Sequence, residues 1–433
     1  MQIQKIEITH NKPLYAFNKA NTQTLPLAQN YGNAPSSLYR ANLFVVKNNK
    51  LSFGQNEKPS QETLNYIELI RKNHAEMGIK SINLRDFDLD RIQDICAGID
   101  VFKDLDAKDL NFLTHNIEEI MLSRGCSHQC VHCGADSSKK ITTMNWNNYE
   151  DLVNGIAVLK ERLGFNPFNT GGNTSIFPFH DAEPMMFISK DNNGNKYNIY
   201  DAAKLFYEKT GTKFNITTAG WHHPLSQKAA ENFVQDPTCI ESISISIHPF
   251  HRYYVNYLKN LKQNNPEQAN KWKEKYINMM SNVIETTADL GLKIDNYVID
   301  LQCLDKDAEL SDYYIKNGFK KTDFDENASR KLLEEIFSRL KRKDIKLSDF
   351  SNDINKPGKY GTLFLRKIFN KSGRAGNLIK EERSRPSVFE SSNTIIGPAG
   401  EIFVNSEEAG NVKLNLSRYH KKLNFKHPTT IKS

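Results

Sequence analysis

The chain has 433 residues, with 58 Lys and Arg against 51 Asp and Glu and a formal net charge of +7. That length supports one large elaborated domain or two to three ordinary ones, and it excludes a stapled miniature fold. The charge is too modest to mark a nucleic-acid protein. No apolar run is long enough to cross a bilayer, and the start MQIQKIEITHNKPLY lacks the charged-then-apolar pattern of a secretory signal, so a cytoplasmic protein with no membrane partner is expected.

Residues 1–115 begin polar and irregular and then turn helical. Ser60 can cap a helix carrying Leu64, Ile67, Ile70 and Met77 at helical spacing, with Gly78 to end it. A second helix follows Asp90, where Ile92, Ile95, Cys96 and Ile99 share a face and make Cys96 a core residue. Asp86, Asp88 and Asp90 open like a calcium loop, but Arg91 stands where Gly is needed and Ala97 where a closing Glu belongs, which discards calcium.

From residue 117 short apolar runs alternate with amphipathic helical patterns, the rhythm of β/α units around a parallel sheet and of a partial barrel. Strands are expected at Ile117–Ser123, Thr174–Phe179, Lys213–Thr218, Ser242–His248 and Lys293–Leu301, with helices at 147–163, 199–210, 225–234, 268–290 and 327–343. The aromatic and basic stretch between Phe250 and Ala269 reads as an insertion, and loops at the carboxyl ends of barrel strands usually serve the substrate. Thr394–Ile396 and Glu401–Val404 flank Gly397-Pro398-Ala399-Gly400 as a β-hairpin. Gly410 to Ser433 holds six Lys or Arg and no acid, and reads as a solvated tail. The expected division is an N-terminal region at 1–115, which has a place in substrate recognition, a core at 116–350 and a C-terminal extension at 351–433.

Three of the six cysteines fall in the eight positions from 126 to 133, in LSRGCSHQCVHCGADSS, directly after the first expected strand. Such clustering is metal chemistry and not a disulfide framework. A [4Fe–4S] cluster usually takes four thiolates, and only three are local here, which leaves one iron open to nitrogen and oxygen ligands. A zinc site would join Cys126, Cys130 and Cys133 to His128 or His132. Compact zinc sites draw their ligands from two separated knuckles, and this segment offers one, which favours the cubane.

Cys126-x-x-x-Cys130-x-x-Cys133 is the signature of the radical S-adenosylmethionine superfamily, which the chain resembles over about residues 117–303. His132 takes the position before the third cysteine that is typically aromatic in that family. The resemblance implies an α/β fold, a partial (β/α)6 TIM-type barrel, with one [4Fe–4S] cluster and S-adenosyl-L-methionine as cofactors. It also implies a one-electron reductant such as a flavodoxin or ferredoxin. Glu183, in Asp181-Ala182-Glu183-Pro184, stands where family members carry a Gly-Gly-Glu motif that receives the cofactor's amino group, the two glycines being replaced. Ile216-Thr217-Thr218-Ala219-Gly220 is similar to the family's Thr-Asn-Gly turn, which puts Thr218 at the cofactor and Ala219 in place of Asn. In SISISIHPF the serines Ser242, Ser244 and Ser246 share one face. In relatives a polar residue near this strand end meets the cofactor's ribose, which the resemblance assigns to Ser246 or His248, or else the serines only fit a packed interior.

Beyond residue 370, SGRAGN and NTIIGPAGEIFVNSEEAGNVK resemble the hairpin of the SPASM-type extension of peptide-modifying members. No cysteine follows Cys303, so no second cluster is expected. This resemblance implies a peptide or protein residue as substrate, attacked at a C–H bond by a 5′-deoxyadenosyl radical. Cys303, near the end of the fifth expected strand, is either a hydrogen donor to the substrate radical or plain core. The alternatives are modification of RNA or a small molecule by the same radical, nucleic acid being the less favoured partner, and a non-catalytic iron–sulfur scaffold. His222, His223, His248 and His251 read as substrate contacts or surface, not as a second metal site.

Overall fold

The computed structural model describes residues 98–106, 109, 113, 117–133, 137–163, 175–179, 181–368, 375–380, 392–408 and 411–432. The helices expected over 60–78 and from Asp90, with Cys96, lie outside the described residues, apart from Ile99.

Seven strands build the centre: β1 (Ile117–Ile120), β2 (Ser175–Ile176), β3 (Lys213–Thr218), β4 (Ile240–Ile247), β5 (Asn296–Leu304), β6 (Phe350–Ser351) and β7 (Gly361–Ile368). The last six form one parallel sheet in the order β6-β7-β5-β4-β3-β2. β1 extends it, since Glu119 bridges Phe177 in parallel and the Ile120 N–H donates to the Phe177 carbonyl at 3.0 Å.

Parallel neighbours need long crossovers, and helices supply them. These are α1 (Trp146–Leu163), α2 (Ile199–Thr210), α3 (Pro224–Gln235), α4 (Arg252–Lys262), α5 (Pro266–Thr287), the short α6 (Asp312–Lys316) and α7 (Glu326–Ser338). The ends are set locally. Asn198 and Asp201 form a capping box on α2, which stops at Gly211 with φ 70°. The class is therefore mixed α/β around a six-stranded parallel sheet, as the alternating pattern predicts.

β4 is buried along both faces, apart from partly exposed Glu241. Ile243, Ile245 and Ile247 join Ile299, Leu301, Ile284 and Leu333 in the main core. The serines of the same strand take the other face.

The first two expected strands are shorter than read, ending at Ile120 and Ile176, and the last expected helix ends at Ser338 and not at 343. Three further expectations need correction. The fifth strand begins at Asn296, not Lys293, because a 3-10 turn over Ala288–Leu292 runs on until the Lys293 N–H bonds the Leu290 carbonyl at 2.8 Å. The stretch after Phe250 is not a loop insertion. It is α4 and the start of α5, turned at Asn264 with φ 54° and restarted by Asn265 and Pro266, while Tyr253 and Leu258 bury the inner face. Nor is the basic end a solvated tail. Asn411–Lys422 forms β10, antiparallel to β9 (Glu401–Glu408), and Thr430–Lys432 pairs with Ile141–Thr143. Lys421 meets Asp106 at 3.2 Å and also Asp109, and Lys426 meets Asp100, so acids distant in sequence anchor two lysines of this end.

The expected hairpin forms between β8 (Ser392–Ile396) and β9, closed by the Gly397 N–H on the Glu401 carbonyl at 2.7 Å. β8 also pairs in parallel with β1. Through β6, β7 and β8, segments beyond residue 350 thus share sheets with the core. Among the described residues no helix is long and apolar enough to cross a membrane.

Candidate functional site

The cysteine loop begins one residue after the short strand Ser123–Arg124. Gly125 precedes it with φ 88°, and a Cβ there would stand 2.2 Å from the Lys140 carbonyl oxygen, so only glycine allows the approach. Inside the loop Gln129 adopts φ 49°, a conformation uncommon outside glycine. Its side-chain amide holds the turn by donating to the carbonyls of Cys126 at 2.6 Å and Ser137 at 3.1 Å. The Cys126 N–H bonds the Ser138 carbonyl at 2.8 Å, and the Cys133 N–H bonds the Cys130 carbonyl at 3.2 Å. All three cysteines are half-buried. Burial, then the nearby Glu183, pushes the Cys126 thiol up to about 12.

This loop lies across the carboxyl ends of the parallel strands, the side on which open and closed α/β sheets receive ligands. Gly125 bridges Ala182 beyond β2. His128 Nε2 reaches the Gly220 carbonyl beyond β3 at 2.8 Å, and the Val131 N–H donates to the Phe250 carbonyl beyond β4 at 3.0 Å. His132 Nε2 meets Gln302 Oε1 on β5 at 2.7 Å. One contact is therefore made at each of four consecutive strands.

Glu183 stands at the same end. It is buried, and its carboxylate accepts the Thr218 hydroxyl at 2.6 Å, the Ala219 N–H at 2.8 Å and the Met185 N–H at 3.2 Å. Burial raises its pKa to about 7 against these bonds, which favour the ionised form. Thr218 thus faces Glu183, and the pair ties the end of β3 to the turn after β2.

The face of the sheet bearing the serines is polar and buried across several strands. Ser242 Oγ donates to Asn215 Oδ1 at 2.7 Å, and Asn215 Nδ2 donates to Ser175 Oγ at 2.8 Å. Register pairs Ser246 with Asp300 and Gln302 with Arg366, so these four share that face. Asp300 takes Arg366 Nε at 3.1 Å, Arg366 Nη2 at 3.0 Å and Gln302 Nε2 at 2.7 Å. Gln302 Nε2 also lies 3.4 Å from Ser246 Oγ. Ser244 Oγ and His248 Nδ1 are buried on this face with no hydrogen-bond partner among the described residues. Buried polar atoms without protein partners are what a bound polar molecule would satisfy.

Four imidazoles crowd the same end. His128 Nδ1 lies 3.1 Å from His251 Nε2, and the His132 ring packs edge-on against His248 with centroids 4.4 Å apart. Burial holds His128 down to about 4 and keeps His248 and His251 well below the ordinary imidazole value, so these three are neutral rings. His222 is exposed, and His223 serves α3 as its cap, accepting the Leu225 N–H at 3.1 Å.

Of the residues singled out by sequence, Cys126, Cys130, Cys133, His132, Glu183, Thr218, Ser246 and His248 are all brought to this end. Cys303 is not. It alternates with Gln302 on β5, is fully buried among the residues packed under the helices, and its thiol is pushed up to about 12 by burial. Among the described residues no group of three or more His, Cys, Asp or Glu converges as ligands of one ion. His128 and His132 turn to Gly220 and Gln302, not onto the cysteines as a Cys3His zinc site requires. A cubane takes each thiolate on a separate iron, so its cysteines gather around one cluster and not on one ion.

Asp300, Gln302 and Arg366 escaped the sequence reading. The signal for Asp300 and Gln302 was present in YVIDLQCL, where two polar residues alternate within an otherwise apolar buried strand, whereas Arg366 stands on β7 in GTLFLRKI. No known protein family, curated protein or solved structure matches the chain.

Proposed function

We propose that the chain is a radical S-adenosylmethionine enzyme with one [4Fe–4S] cluster on Cys126, Cys130 and Cys133, built on a partial (β/α)6 barrel. The observation that carries this reading is the placement of a three-cysteine loop over the carboxyl ends of a parallel sheet, with its two histidines committed elsewhere. Three thiols with no fourth ligand among the described residues leave one iron for the amino and carboxylate groups of S-adenosyl-L-methionine. When bound, the cluster and cofactor supply one-electron cleavage of a carbon–sulfur bond and a 5′-deoxyadenosyl radical. The electron comes from a flavodoxin or ferredoxin in the cytoplasm.

The chain's own residues orient and seclude. Ser244 and His248 offer buried polar atoms on the sheet face below the loop, and Ser246 stands between them in sequence on the same face. Glu183 and Thr218 fix the end of β3 beside Cys126. A buried site of this kind excludes water from a reactive intermediate. The substrate we favour is a residue within a peptide or protein, on the likeness of the C-terminal hairpin to that of peptide-modifying enzymes. RNA is the weaker reading, because the basic residues of α4 and α5 already cover the aromatic rings on which bases would stack: Lys275 lies over Tyr253 at 4.5 Å and Lys273 over Tyr257 at 5.5 Å.

Anaerobic reconstitution tests the reading. It predicts about four irons per chain and formation of 5′-deoxyadenosine by the reduced protein, both lost in Cys126→Ala. Zinc without iron, or iron without cofactor cleavage, sinks it.

A further inference from the structure

His128 lies between Cys126 and Cys130, and His132 between Cys130 and Cys133, so the loop alternates thiols with imidazoles. Each imidazole belongs to a hydrogen-bond relay whose proton positions follow from its ends.

In the first relay, His251 Nδ1 accepts the Tyr253 N–H at 3.2 Å at the start of α4, which puts the ring's proton on Nε2. That Nε2–H donates to His128 Nδ1 at 3.1 Å, so His128 carries its own proton on Nε2 and donates to the Gly220 carbonyl at 2.8 Å. In the second relay, the acceptor-only carboxylate of Asp300 claims the amide nitrogen of Gln302 at 2.7 Å. The amide oxygen then faces His132 and receives its Nε2–H at 2.7 Å, while Arg366 anchors the far end on Asp300. His128, His251, Gln302, Asp300 and Arg366 are each at most 7% exposed, so water does not replace a lost partner.

We propose that His251 and Gln302 are positioning residues of the cysteine loop: acting through His128 and His132, they set where the three thiols stand before any metal arrives. The metal readout of this inference rests on the cluster reading above, and its geometric readout does not. Neither residue touches a cysteine in the contacts described, and neither lies in the cysteine motif. They tie the loop to β5 and to the start of α4 through bonds that allow one tautomer of each imidazole. Partners that orient a ligand segment from outside typically change metal retention by roughly 10- to 100-fold when removed.

Two substitutions separate positioning from folding. His251→Asn keeps an acceptor for the Tyr253 N–H and so keeps the cap of α4, but is too short to reach His128. Gln302→Met keeps the volume, removes the amide and leaves Asp300 with Arg366. Backbone hydrogen exchange of residues 126–133 is measured first in the metal-free protein. Reduced, anaerobically reconstituted protein then gives the rate of iron loss to a chelator and the electron paramagnetic resonance spectrum, with the melting temperature alongside. The expectation is faster exchange at the loop amides in both variants, iron lost about 10- to 100-fold faster and a broadened spectrum, while the helices keep wild-type protection. Wild-type loop exchange together with wild-type iron retention in both variants overturns the proposal. Should His251→Asn not fold, His128→Asn cuts the same bond from the loop side. If the wild-type protein takes up no iron, the cluster reading falls alone, and the metal-free exchange decides the positioning role.

Discussion

His128 and His251, 123 residues apart in sequence, meet through a 3.1 Å hydrogen bond in which His251 donates and His128 accepts. Both rings are buried and neutral, and the bond joins the cysteine loop to the first residue before α4. This contact and that of His132 with Gln302 are two of those that hold the cysteine segment on the sheet.

Burial of neutral imidazoles gives the metal-free protein a pH-dependent stability. The unfolded chain takes up protons on His128 near 6.5, the folded chain only near 4, and His248 and His251 shift in the same direction. Their contribution is complete above about pH 6.5 and is lost as the pH falls, on the order of 3 kcal/mol for His128 alone once both states are protonated. Glu183 acts oppositely: its folded pKa of about 7 exceeds the unfolded 4.5, so its contribution is complete below 4.5 and declines toward pH 7. Three imidazoles outweigh one carboxyl, and denaturant midpoints of the metal-free protein should drop between pH 6.5 and 4.5. A flat or rising profile on acidification would contradict the neutral burial of these rings.

Asp300→Ala should be severely destabilising, by about 3–5 kcal/mol, because it strands the buried Arg366 guanidinium without its carboxylate. Urea unfolding checks this. Asp300→Ala combined with Arg366→Met should recover much of the loss, since removing both charges leaves nothing unpaired.

Gly125→Ala combines a left-handed backbone with a methyl 2.2 Å from the Lys140 carbonyl. A cost of at least about 1–3 kcal/mol is expected, with the Cys126–Ser138 backbone bond the first to break. The check is thermal unfolding together with thiol reactivity, which should rise at Cys126 before it rises at buried Cys239.

Cys303→Ala should leave 5′-deoxyadenosine formation and product stereochemistry unchanged and lower stability by about 1 kcal/mol, as removal of a small buried group does. Loss of stereochemical control with an intact fold would return Cys303 to the chemistry.

The sequence by itself determined the β/α rhythm, four helices to within a few residues at both ends and α7 at its start, the hairpin at Gly397–Gly400 and the three-cysteine loop. It could do so because helical periodicity, caps and turn residues are local, and because Cys126, Cys130 and Cys133 lie on one segment. Tertiary structure decided the rest. The basic end pairs with Asp100, Asp106 and Asp109, more than 300 residues earlier, and so becomes strand and ion pairs instead of tail. Cys303 and Gln302 are adjacent in sequence, yet strand alternation sends one to the core and the other to the polar face. The partners of His128 and His132 come from β5 and the segments after β3 and β4, and no local pattern states which imidazole a distant carbonyl or amide will claim. Strand order and register fix that, because a hydrogen bond is satisfied only where packing brings donor and acceptor to within about 3 Å.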